Sequence, residues 1–151
     1  MSARGPRGLR LTDEEGSTLL LTIFYGCLAL VLILVVMAAT SLYLERKRLF
    51  TLADGAALAG AESFALDDVS VGPHEVRPEL TSADVGVAVR DYLAAATHAG
   101  FVDLTVRRAA SVDGRSATVT LTSWWRPPVL TLVLPSGVRL EVTAVARSVF
   151  R

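Results

Sequence analysis

The sequence is poor in the residues that build metal centres and covalent cross-links. It holds a single cysteine, Cys27, and two histidines, His74 and His98. One cysteine excludes a disulfide within the chain and a zinc site built on thiolates. The histidines stand apart, one in a breaker-rich stretch and one near a helix end, so no metal or other cofactor is expected. An excess of either charge is also missing. Fifteen basic residues balance 15 acidic ones. A sequence-independent nucleic-acid binder needs a basic surplus to displace counterions, so no nucleic-acid partner is expected. No Gly-rich phosphate loop follows a strand. Nothing marks a nucleophile, and the acidic pair Asp67-Asp68 reads as solvated; the chain is therefore read as non-enzymatic. Asn and Gln are absent and Lys47 is the only lysine, a bias of GC-rich coding and not of function.

What the chain has in abundance is apolar length. Hydrophobic residues make up 52% of 151, with a mean hydropathy of +0.47. The excess is concentrated: from Gly16 to Leu44 no residue is charged. The dense part, Leu19 to Leu42, would rise ~36 Å as a helix, against a hydrocarbon core of about 30 Å. It carries 14 Leu, Ile, Val or Phe, which favour insertion by about −4 to −8 kcal/mol in sum. This is a transmembrane helix by length and uniformity. A cleaved secretory signal has a shorter apolar region. A lipoprotein cysteine would follow small residues, whereas Cys27 follows Phe24-Tyr25-Gly26 and the apolar run continues beyond it. Orientation is not decided by charge, because Arg4, Arg7 and Arg10 before the span nearly balance Arg46, Lys47 and Arg48 after it.

Past the span the sequence stays helix-favouring, with no proline before Pro73 and an i,i+3 pair of Glu45 with Arg48. Ala53, Ala57 and Ala61 recur at four-residue spacing, as do Ala56 and Gly60. Small residues so spaced allow close approach of another backbone, either a neighbouring helix or the protein's own sheet. Asp54 lies among them. Asp67 to Pro78 carries turn and breaker residues and reads as a loop. Thr81-Ser-Ala-Asp84 opens a second helix with a hydroxyl cap, on which Val85, Val89, Tyr92 and Leu93 repeat at helical spacing. Gly100 is expected to end it. From Phe101 the period becomes two. Strands are expected over 102–106, 117–122, 130–134 and 138–146, with Asp113-Gly114 as a hairpin turn. Pro127-Pro128 places Trp124-Trp125 at a strand end. Of these, one tryptophan is expected to complete the core and the other to shield the sheet edge, or both to offer a stacking surface in the head. The expected fold is α+β: a long N-terminal transmembrane helix, a second helix and a four-strand antiparallel meander covered on one face.

The segment Leu42-Tyr-Leu-Glu-Arg-Lys-Arg48, followed by Ala53-Asp-Gly-Ala-Ala-Leu-Ala-Gly-Ala61, resembles the N-terminal signature of TadE/TadG-like proteins of Tad (Flp-type) pilus assembly systems. Gly16-Ser17 opens the span as in that family, and Gly55 stands in an alanine position. The resemblance covers roughly residues 13–65. It implies a bacterial, pilin-like membrane protein with a cytoplasmic tail (1–16), a transmembrane helix (17–44), an extramembrane helical extension (45–66) and an extracytoplasmic pilin-like head (67–151). It implies a structural role in pilus assembly, with the bilayer, pseudopilins and platform proteins as partners. Ala53, Asp54, Ala56, Ala57, Gly60 and Ala61 are the expected packing face, and Trp124 and Trp125 a head contact. On that reading Ala57→Leu should loosen assembly. Prepilins of this class are cut after a glycine, with glutamate five residues into the mature chain. Cutting after Gly16 would place Leu21 there, so no such cleavage is expected and the anchor is retained, as in TadG-like proteins. The alternative reading is a single-pass anchored protein whose head binds a ligand or a cell-envelope polymer.

Overall fold

The computed structural model describes residues 14–63, 69–71, 76–78, 80–96, 100–127 and 135–147. The chain divides into two compact units, residues 1–37 and 38–151. Helix α1 (Glu14–Ala61) contributes to both.

In the first unit the described side chains, from Thr18 to Met37, are exposed apart from half-buried Leu34. Leu19, Phe24, Leu32 and Val36 are among the large apolar groups left without cover from the protein. Such a surface is stable against lipid and not against water. Among the described residues α1 is the one helix long and apolar enough to cross a membrane. It has the length and composition of a single-pass anchor.

The second unit is an α+β layer. Helix α2 (Ser82–Ala95) and the part of α1 from Ala38 onward cover one face of an antiparallel sheet made of β3 (Val102–Ser111), β4 (Ser116–Trp125) and β5 (Val138–Arg147), in that order. Alternation decides the faces. Ala117, Val119 and Leu121 of β4 and Leu140, Val142 and Ala144 of β5 point inward and are buried. Thr118, Thr120 and Thr122 point the other way, opposite Val145, Thr143 and Glu141. The Thr120 and Thr143 hydroxyls bond across the strands at 2.9 Å.

Three sequence expectations are corrected here. The sheet has three strands among the described residues, not four. β4 pairs with β5 along its whole length, from Ser116↔Arg147 to Trp125↔Val138. No strand can therefore lie between them, and the segment 130–134 expected there is outside the described residues. The stretch read as a loop contains a two-stranded antiparallel ribbon, β1 (Val69–Val71) and β2 (Val76–Pro78). Its valines alternate with polar residues, a signal masked by the adjoining Gly72-Pro73. Helix α2 ends at Ala95, before Gly100; the Ala96 N–H closes it on the Tyr92 carbonyl at 2.8 Å.

The start of α2 forms as its sequence requires. The Thr81 hydroxyl accepts the Asp84 N–H and donates to the Asp84 carboxylate. The helix start is also tied to the hairpin: Leu80 N–H donates to the Gly114 carbonyl, and Ser82 Oγ bonds both the carbonyl and the N–H of Ser111. Gly114 supplies the positive φ of the hairpin turn at +67°.

Candidate functional site

The small-residue face of α1 is spent within its own unit. Ala53, Ala56, Ala57 and Ala61 are fully buried and Gly60 is buried with them. A Cβ on Gly60 would meet Val85 and Val89 of α2 and Ala117 of β4 at 3.1 to 3.5 Å. The absence of side chains thus brings helix, helix and sheet into contact at one point. At Gly55 a Cβ would collide with the Tyr92 hydroxyl, so this glycine is the seat of the Tyr92 ring. Of the two partners the spacing allowed, a foreign helix or the protein's own sheet, burial places the chain's own α2 and β4 against this face. Asp54 alone of the six named residues is exposed. It shares the outward side of α1 with Phe50 and Leu58, which are 44% and 52% exposed.

The two tryptophans part company, as alternation dictates. Trp125 points inward, is 8% exposed and donates its indole N–H to Ser41 Oγ at 3.3 Å. Trp124 points outward, half-buried, opposite Arg139 on β5 and Val102 on β3. Arg126 follows and pairs with Asp103 at 3.7 Å; Arg139 pairs with Glu141 at 3.2 Å. Gly137 closes this corner at φ +69°, where a Cβ would lie 2.7 Å from both the Trp125 carbonyl oxygen and the Arg126 side chain. A stacking surface made of both tryptophans is therefore not formed, because Trp125 belongs to the core.

An open groove of about 700 Å³ runs between α1 and the C-terminal end of α2, lined by Glu45, Arg48, Thr51, Tyr92 and Phe101 among others. The Glu45–Arg48 pair expected from spacing lies here at 4.0 Å. No cluster of metal-ligating side chains occurs among the described residues. His74, His98, Asp67 and Asp68 lie outside them. Asp113, at the hairpin turn, has its carboxyl lowered to about 2. The Ser116 hydroxyl contributes most, followed by the N–H groups of Arg115 and Ser116. It is a turn-stabilising acid at the opposite end of the sheet from the tryptophans.

Sequence reasoning missed the Ser41–Trp125 and Gly55–Tyr92 contacts. The first joins residues 84 apart, and no periodicity within either element carries such information.

Residues 16–63 match the family model for Flp pilus-assembly TadE/G-like domains. No curated protein and no solved structure matches the chain. The matched stretch takes in the apolar run and the buried small-residue face of α1. The N-terminal third of the chain is thus similar to a Flp pilus-assembly domain, which associates it with membranes and with Tad-type pilus assembly.

Proposed function

We propose that the protein is a membrane-anchored structural component, minor pilin- or pseudopilin-like, of a Tad/Flp-type pilus or a related secretion machine. In this reading residues 1–16 are cytoplasmic, 17–44 contain the membrane span, 45–66 extend it, and the rest of the chain forms an extracytoplasmic head. The role is structural and not catalytic. The observation that carries the reading is the family match over 16–63, which coincides with the one helix among the described residues suited to a bilayer.

The burial of Ala53, Ala56, Ala57, Gly60 and Ala61 changes how such a part would meet its neighbours. A residue already covered by its own sheet cannot take a partner without unfolding the head. Lateral contacts with pseudopilins or platform proteins then fall to the lipid-facing residues 18–37, where close packing replaces any hydrophobic drive. Outside the membrane they fall to the exposed side of α1 at Phe50, Asp54 and Leu58.

Crosslinking in native membranes with identification of the captured peptides tests the proposal. Recovery of pilin-like or platform subunits, with links at the Phe50–Leu58 side, is the expected result. Capture of envelope-polymer enzymes alone would move the function to a ligand-binding head.

A further inference from the structure

The groove between α1 and the C-terminal end of α2 lies wholly within the second unit, and the structural role proposed above makes no use of it. Its volume of about 700 Å³ is that of a ligand site. Its lining is of two kinds. Helix α1 supplies the polar part, with Glu45, Lys47, Arg48 and Thr51. The apolar part is Tyr92 of α2, Phe101 ahead of β3, and Leu52, each half-buried. The polar part is not spent on internal bonds. Arg48 stands 4.0 Å from Glu45, with 75% of its side chain exposed, which is beyond hydrogen-bond distance. Lys47 is exposed. The Thr51 hydroxyl donates to the Lys47 carbonyl at 3.0 Å, which leaves its oxygen to accept.

A groove with a cationic side and an aromatic, apolar side fits an amphiphile with an anionic head. Lys47, Arg48 and Glu45 together carry one net positive charge, the complement of the single negative charge on a phosphodiester. Guanidinium and ammonium N–H groups make their strongest hydrogen bonds to such oxygens. We infer that this groove binds an anionic phospholipid. Lys47 and Arg48 hold the phosphodiester, and Tyr92, Phe101 and Leu52 take the glycerol backbone and the first carbons of an acyl chain. Such a ligand is at hand by chain connectivity alone: Glu45 directly follows Leu44, the last residue of the uncharged run, and Thr51 is about two helical turns from it. Neither a pilus partner nor any particular placement of the head over the bilayer is required.

The full chain, purified in dodecyl maltoside and stripped of lipid, is titrated with phosphatidylglycerol or with phosphatidylcholine, and bound lipid is counted by native mass spectrometry. Phosphatidylglycerol is expected to bind about tenfold more tightly, the worth of one charge-assisted hydrogen bond. Lys47→Gln combined with Arg48→Gln is expected to bind the two lipids equally, with an unchanged circular dichroism spectrum because both side chains are exposed. Arg46→Gln removes the same charge from a neighbouring exposed residue that does not line the groove, and is expected to keep the preference. Equal affinity for the two lipids in the unaltered chain would overturn the inference. An equal loss of preference in Arg46→Gln would overturn it as well, by making the attraction a diffuse effect of the basic run. Displacement of phosphatidylglycerol by an equal concentration of water-soluble glycerophosphoglycerol would overturn the lipid assignment, since the apolar lining would then contribute nothing and the ligand would be a free phosphodiester.

Discussion

At the scale of single residues, the smallest side chains carry the most specific information. Ala57 has no exposed surface, and replacing it by leucine inserts three carbons into a filled interface. Overpacking of this kind destabilises by about 1–3 kcal/mol. Ala57→Leu is therefore expected to lower the thermal midpoint of the head in detergent, read by circular dichroism. Crosslinking of the folded fraction to partners should be unchanged, in contrast to the effect expected if the alanines faced another chain. Asp113 gives a second residue-scale prediction. Its native carboxyl sits near 2 instead of 3.8, so the ionised form favours the folded state. That contribution is complete above about pH 4 and fades as pH falls towards 2. Asp113→Asn should lower stability at neutral pH and flatten the acid limb of the stability profile between those values.

Elements cohere through their ends as much as through their faces. Helix α2 is fastened by Thr81 at its own first turn and by Ser82 to the end of β3. Removing an N-cap hydroxyl costs about 1 kcal/mol. Thr81→Ala is expected to speed amide exchange in the first turns of α2 while the β4–β5 ladder keeps its protection. Helix α1 shows how one element serves two environments. From Leu19 to Met37 it is uncharged and apolar all round, as lipid requires. From Ala38 the covered positions 38, 42, 45, 49, 52 and 56 recur at alternating spacings of four and three, a stripe that faces the rest of its unit. The transition was not visible in hydropathy, because alanine and leucine suit both surroundings.

For the whole molecule the consequence is an anchor and a head held in one chain. Once inserted, a single-pass helix of about 20 apolar residues resists extraction by weak means. The protein is expected to remain in the membrane pellet after carbonate washing. N-terminal sequencing of membrane-purified protein is expected to find no new terminus at Ser17, since Leu21 stands where prepilin processing wants a glutamate. A terminus at Ser17 would instead make this a processed pilin.

The membrane helix, the second helix with its threonine cap and the three long strands were all legible in the order of residues. Each is announced by a local pattern: an uncharged run, a 3.6-residue period, a two-residue period. The likeness to Tad assembly domains was legible for the same reason, since its signature is a contiguous string. Local patterns have no access to pairing between distant segments. Only the tertiary structure decided that β4 lies directly beside β5, which removes the fourth strand from between them. Only it decided that the alanine face closes on the chain's own α2 and β4. The same holds for the tryptophans: alternation sends them to opposite faces, but the hydrogen bond from Trp125 to Ser41 depends on where the sheet is laid against α1. Packing is chosen by the surfaces that remain to be covered after the elements have formed, and that choice is not written in any one of them.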